Sequence, residues 1–239
     1  MEIYTKAKKR IGTKKFKIIL LRDYGVNISE GRIYRLLKTM SLPKMATNKP
    51  HWKSDKTGTT SMNVNHLKQQ FNPDKPNQVW TTDFTYISIG NKKFVYLCIV
   101  LDLFSRKVIA WKVGNHIDTQ LAMNTVKQAL ERRKPKAALI FHSDQGSQFK
   151  AKDFRKLLDE NNMLASYSKP GYPYDNAVTE VFFKYFKQNE INRKSFHSLQ
   201  EVKLSCLEYI EAFYNNYSPH SANNGLTPNQ KEKLYFQKI

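Results

Sequence analysis

Cysteine is nearly absent from the 239-residue chain: Cys98 and Cys206 stand alone, each inside an apolar pattern. Two isolated thiols do not build a disulfide framework, and a zinc site needs more Cys or His at ligand spacing. The histidines do not supply them, because His51, His66, His116, His197 and His220 form no ligand cluster. Both cysteines are therefore expected to be reduced core residues. Apolar runs of membrane-spanning length are also lacking, as is a signal-peptide core. These absences predict a cytoplasmic protein with no membrane partner. Acidic residues are the third shortage, with twenty Asp and Glu against forty Lys and Arg, a formal charge of +20. Such an excess predicts a polyanionic partner, because lysine and arginine gain affinity by displacing counterions from phosphates. It is densest at the start, where residues 1–56 hold fifteen Lys/Arg and four Asp/Glu. Charge alone fits a ribosomal or membrane-surface protein as well as an enzyme.

What is abundant is aromatic: fourteen Phe, thirteen Tyr and three Trp can fill a substantial core, which excludes wholesale disorder. Residues 1–42 read as two helices and a tight turn. Phe16, Ile19, Leu20 and Tyr24 lie at helical spacing before Gly25, and a second helix starts near Ser29 and runs through Ile33, Leu36 and Leu37. On that helix Arg32, Arg35 and Lys38 recur every three residues, away from the apolar stripe. They are either a DNA-groove recognition face or a solvated basic face. Residues 43–77 have linker composition, with one ordered piece around residues 64–71. From residue 78 to 239 the pattern predicts three antiparallel strands, a helix over 118–133, a buried strand (ALIFHS), a helix around Phe154, a short strand (LASYS) and two further helices. One of these begins near Asp175. The other opens at Ser198-x-x-Glu201 and carries Leu199, Val202, Cys206, Ile210, Phe213 and Tyr217 on one side. The order βββαβαβαα predicts an α/β fold, a mixed sheet flanked by helices.

Three carboxylates fall where such a layout makes a site. Asp83 lies in the first strand, and period-2 alternation turns it toward the side of Thr81 and Thr85, away from Trp80, Phe84 and Tyr86. Asp144 follows the core strand and enters a polar turn, so it is held rigidly yet meets solvent. Glu180 sits about one turn into the helix after Asp175. Singly, each has a plain structural reading: a bond to a neighbouring threonine, a turn, a first-turn helix acid. Jointly they suit hard divalent cations, which take oxygen ligands and in pairs activate one phosphodiester oxygen while stabilising another. Asp102 is the competing acid and is better suited to a turn near Ser105. His142 either lines the site or is structural.

The words Trp80-Thr-Thr-Asp83-Phe-Thr-Tyr86, His142-Ser-Asp144-Gln-Gly-Ser-Gln148 and Gly171-Tyr-Pro-Tyr-Asp-Asn-Ala-Val-Thr-Glu180 resemble the three catalytic blocks of the integrase core. They are most similar to those of the second-frame transposase of bacterial insertion-sequence family three, including the thirty-five residues between Asp144 and Glu180. Gly31-Arg-Ile-Tyr-Arg-Leu-Leu37 resembles that family's helix-turn-helix region. The resemblance implies a ribonuclease-H-like fold preceded by a small helix-turn-helix module. It also implies two Mg²⁺ (or Mn²⁺) ions held by Asp83, Asp144 and Glu180, and cleavage and joining of element ends without a covalent protein–DNA intermediate. The partners implied are terminal-repeat and target DNA, further copies of the chain in a homo-oligomer, and the first-frame product of the same element. Lys184 and Lys187, four and seven residues after Glu180, share its helical face and are expected on DNA phosphates. The alternatives are a nuclease of the same fold that hydrolyses without joining, and an inactive protein that occupies element ends. Among the departures from the family pattern, Ser218 stands where an arginine is usual, and Lys187-Gln-Asn-Glu190 sets its glutamate one place late.

Overall fold

The computed structural model describes residues 2–40, 42, 64–90, 93–169 and 173–238. Residues 43–63 of the expected 43–77 linker, His51 among them, and the Gly171-Tyr172 start of the third block lie outside the described residues.

Five strands form one sheet in the order β3-β2-β1-β4-β5. β1 (Val79–Ser88), β2 (Phe94–Asp102) and β3 (Lys107–Gly114) make the antiparallel meander, while β4 (Leu139–Ser143) and β5 (Met163–Tyr167) add parallel strands. The turn from β2 to β3 is built by Asp102, whose carboxylate accepts from the N–H groups of Phe104 and Asn77 at 2.9 and 2.8 Å. Asp102 thus has the turn role its sequence position suggests. Arg106 reaches back from the same turn to the Phe71 carbonyl and the Asn72 side chain, both at 2.6 Å. That strap holds the chain entering β1.

One sheet face is covered by α4 (Thr119–Arg133), α5 (Ser147–Lys150) and α6 (Lys152–Glu160). Asp118 caps α4 by accepting from the Leu121 N–H at 2.7 Å, an arrangement worth about 1 kcal/mol. Between these helices and the sheet lie Trp80, Val100, Ile109, Val126, Phe141 and Phe154. The opposite face carries α7 (Ala177–Asn189) and α8 (Leu199–Leu207), and Phe182, Phe186 and Val202 pack with Val79, Ile87 and Leu97 of the strands. Ser198 accepts from the Glu201 N–H, and the Glu201 carboxylate reaches back to the His197 N–H at 2.9 Å. Beyond α8 the expected regular helix widens into a π-helical stretch over Glu208–Tyr214. A final helix, α9 (Pro228–Phe236), begins with a capping box at Thr227 and Gln230.

The N-terminal segment forms α1 (Glu2–Lys6), α2 (Thr13–Tyr24) and α3 (Glu30–Thr39), with Gly25 in the left-handed region closing α2 and the Ser29 hydroxyl capping α3. Ile3, Phe16, Ile19 and Ile33 join the core shared with α7 and α8. The apolar stripes expected on α2 and α3 are only partly covered, since Tyr24 of α2 and Leu36 of α3 remain exposed. Arg10 fixes this segment to the rest. Its guanidinium is buried, meets Glu190 Oε2 at 2.6 and 3.0 Å and Glu208 Oε1 at 2.6 Å, and stacks over the rings of Tyr209 and Phe213. Glu190 also accepts from Ser205 at 2.5 Å and from Lys194. The late glutamate of the family pattern is therefore a buried ion-pair centre at the end of α7. Ser218, at the place of the usual arginine, is fully buried and accepts from the Lys15 ammonium at 2.7 Å, so α2 delivers a cation there.

Candidate active site

The sheet register places the two aspartates abreast. β1 and β4 run parallel with Thr81 opposite His142 as their last pair, so Asp83, still in β1, and Asp144, just past the end of β4, each stand two residues beyond it. Asp83 leaves the sheet on the face covered by α7, as the alternation Thr81, Asp83, Thr85 requires. The third acid arrives by a different route. Thr179 of α7 hydrogen-bonds Thr81 of β1 at 2.7 Å between their hydroxyls, which seats the first turn of the helix on the strand that carries Asp83. Glu180 is the next residue and is exposed. Asn176 adds a second tie, its amide donating to the Thr82 carbonyl at 3.3 Å.

Two of the three carboxyls are anchored by backbone. Asp83 Oδ1 accepts from the Phe84 N–H at 2.7 Å, and Asp144 Oδ1 from the Gly146 N–H at 2.9 Å. Burial pushes the Asp83 carboxyl up to about 8, with the negative charges of Asp144 and Glu180 adding to the rise and Lys187 opposing it. Burial likewise raises Asp144, against the Gly146 hydrogen bond and Lys150, and partial desolvation raises the more exposed Glu180. Among the described residues, none of the three makes a salt bridge. Nor do any three Asp, Glu, His or Cys there stand close enough to enclose a metal ion as they are. An oxygen-only set of mutually repelling, unpaired acids nevertheless fits a hard divalent cation, whose charge would remove the repulsion.

The other residues singled out from sequence divide between the edge of the site and the scaffold. Lys187 is half-buried over the ring of Tyr86, with its ammonium 4.0 Å from the centroid and its charge acting on Asp83. Lys184 is exposed and forms no ion pair with Glu180. Arg32, Arg35 and Lys38 are exposed on α3 and share no hydrogen bond or ion pair with the acids. His142 is structural: fully buried, its ring nitrogens meet Ser166 and Ser168 at 2.8 and 3.0 Å, and burial pushes it down to about 4, which keeps it neutral.

Asp175, which the sequence marks only as a helix start, has a further role. Its carboxylate accepts from Asn65, Gln69 and the Lys169 N–H at 2.9, 3.0 and 2.9 Å, which ties the segment before β1 to the approach of α7. Burial works to raise its pKa, but those hydrogen bonds bring it below the ordinary carboxylate value. The signal for this role is its place in the word Tyr-Asp-Asn, directly before the helix that carries Glu180.

Residues 73–173 and 161–228 match two family models, each described as an integrase core domain. Over 229 residues the chain is 33% identical to transposase InsF of insertion sequence IS3A from Escherichia coli (strain K12), a match covering 96% of this chain and 79% of that protein. A stretch of 112 residues, 47% of the chain, is 72% identical to a Lactococcus lactis subsp. lactis protein named ATP-dependent protease. This stretch spans only 36% of that relative, so the relative's name describes a protein lying mostly outside the match. The fold is similar to the HTLV-2 integrase catalytic core domain solved in complex with magnesium. The TM-score is 0.50 at 18% identity, covering 66% of this chain and 97% of that one.

Proposed function

The chain belongs to the transposases of IS3-type insertion sequences, DDE-type enzymes with an integrase core, and from that premise we propose that Asp83, Asp144 and Glu180 are its catalytic acids. The observation that carries the reading is their arrangement: one aspartate in β1, one just past the end of the parallel strand β4, and a glutamate on the helix turn that the Thr81–Thr179 bond seats on β1. We further propose that the three acids hold two Mg²⁺ (or Mn²⁺) ions. When bound, such ions supply Lewis-acid activation of an attacking oxygen and charge stabilisation of a leaving one. The protein's own part is to fix the carboxylates through the N–H groups of Phe84 and Gly146, and to bring phosphates to them. Lys187, held over Tyr86 and next to Asp83, contacts the phosphate beside the scissile bond, and exposed Lys184 supports it one turn earlier. The substrate is the element's terminal DNA and then the target, bound by several copies of this chain, with the first-frame product as a further partner.

Incubating the protein with divalent metal and labelled duplex carrying the element ends should give joined products. Hydrolysis without joining would favour a nuclease, and binding alone an end-occupying protein. In the same assay Lys187→Glu should slow end cleavage by about 100-fold or more, the scale of a lost charge-stabilising donor. Its melting temperature should hardly move, because the ammonium is not in the core. Cleavage at the parental rate would mean that this face of α7 does not meet DNA.

Residues 1–42 are proposed as a helix-turn-helix module, 43–77 as the link and 78–239 as the catalytic core. Within the module Arg32, Arg35 and Lys38 are the proposed phosphate contacts, favoured by their exposure on one arc of α3. Replacing all three by Ala should flatten the salt dependence of DNA binding by about two to three units of log–log slope. An unaltered slope would make the face a solvated one.

A further inference from the structure

Three residues beyond Asp83, two aromatic side chains stand in solvent where strand residues of this type are usually covered. Tyr86 is 53% exposed and Phe94, on the neighbouring strand, 45%. Their rings meet edge to face, with centroids 5.6 Å apart and planes at 89°. The register explains the contact: Tyr86 lies opposite Tyr96 and Ser88 opposite Phe94, so Tyr86 and Phe94 are diagonal neighbours on one face of the pair. On that same face Trp80 is fully buried and Phe84 packs on Phe149. The helical cover thus ends between Phe84 and Tyr86, on the sheet face opposite the one by which Asp83 leaves. β1 pairs with β4 only as far as Thr81, and among the described residues no strand pairs with that side of its later residues. Lys187 enters there, its ammonium 4.0 Å from the Tyr86 ring centroid.

We propose that Tyr86 and Phe94 form a stacking platform for one unpaired nucleobase beside the phosphodiester at the acid site, with Lys187 on the adjoining phosphate. The proposal rests on the reading that this site cuts DNA. Two features select a nucleobase over an apolar protein surface. A lysine ammonium over the ring would be stripped of water by a purely apolar partner, whereas a nucleotide brings both a flat π-face and an anion. Lys187 comes from α7 on the Asp83 face and reaches the Tyr86 ring round the open edge of β1, so the cation links the aromatic pair on one face to the acid on the other. Any base has a face to stack, so the platform would hold a frayed end without reading its sequence.

The probe is a duplex with 2-aminopurine in a short single-stranded 3′ overhang, titrated with the full chain in metal-free buffer so that no cleavage is needed. Stacking on the platform should quench the fluorescence. Tyr86→Ala with Phe94→Ala should abolish the quench and weaken binding of the overhang duplex about tenfold, while binding of a blunt duplex changes little. Tyr86→Phe and Phe94→Tyr, which keep the rings, should retain the quench, and they serve as the deciding pair if the double Ala variant does not fold. Undiminished quenching in the double Ala variant, or loss of quenching in the ring-preserving variants, would overturn the proposal. So would retained quenching with a smaller oligomer in sedimentation, which would make the pair a contact between copies. A parent that joins element ends yet shows no quench sinks the platform alone. A parent that quenches but never cleaves sinks the functional reading instead.

Discussion

Asp83→Asn, Asp144→Asn and Glu180→Gln should each lower metal-dependent end cleavage by at least about three orders of magnitude, while DNA binding and folding persist. Each change removes one negative oxygen at nearly constant volume, so the packing around β1, β4 and α7 has little to answer to. The three differ in what they do to the metal-free protein. Asp83 titrates near 8 in the fold because it is buried beside Asp144 and Glu180, against an ordinary value of about 3.9 when unfolded. Between those values the folded state keeps a proton that the unfolded chain has lost. Stability therefore falls as pH rises through the window, by up to about 1.4 kcal/mol per unit for this group, and is unaffected below about pH 4. Asp83→Asn removes that dependence and should melt higher than the parent at pH 8 without metal, with the gap closing toward pH 4. Thermal melts in chelator at several pH values decide the matter. Parallel curves for parent and variant would mean that Asp83 is not protonated in the fold, and near-normal cleavage by any one variant would remove that residue from the site.

Arg10→Met should be the most damaging single change outside the site, costing about 3 kcal/mol in urea denaturation. Glu190, with a side chain only 2% exposed, would be left in the core with Lys194 and the Ser205 hydroxyl as its remaining partners. A buried charge stripped of one counterion is far more costly than the absence of the whole pair. Arg10→Met combined with Glu190→Met should accordingly lose less than the two single changes added together. A cost for Arg10→Met below about 0.5 kcal/mol would mean that the pair is no more than a surface contact. The same variant also loosens α1 and α2 from the end of α7, the helix that carries Glu180 and Lys187.

The residues that can be read from sequence share a property: each declares itself within its own strand or helix. The likeness of their flanking words to the integrase-core blocks is what marks Asp83, Asp144 and Glu180 as a set. Period-2 alternation gives the side Asp83 faces, the passage from an apolar strand to Gly146 gives the place of Asp144, and the helix after Asp175 gives that of Glu180. The ordering of the core elements is legible for the same reason. The illegible features join positions far apart in the chain. Thr81 and Thr179 are 98 residues apart and look like two ordinary hydroxyls until the sheet and α7 are assembled. Arg10 reads as one more cation in a basic segment, yet its partner Glu190 lies 180 residues on. Ser218 reads as the loss of an arginine, whereas the Lys15 ammonium meets it from α2. The docking of α1 and α2 on the C-terminal helices escapes any local pattern as well, because Ile3, Phe16 and Ile19 announce an apolar face without naming what covers it.

The π-helical stretch at Glu208–Tyr214 sets the angular phase of the chain beyond it. Its closing bond runs from the Asn215 N–H to the Ile210 carbonyl at 2.9 Å, spanning five residues. Each residue absorbed in this way turns the downstream chain back by roughly 100° relative to an α-helix. That rotation brings Asn215 against β3, where its amide accepts from the Val108 N–H at 3.1 Å and donates to the Val108 carbonyl at 2.9 Å. β3 is the outermost strand on its side, and unpaired backbone there would invite another strand to add. One side-chain amide, aimed by a widened helical turn, occupies the place that a sixth strand would need and closes the sheet at that point.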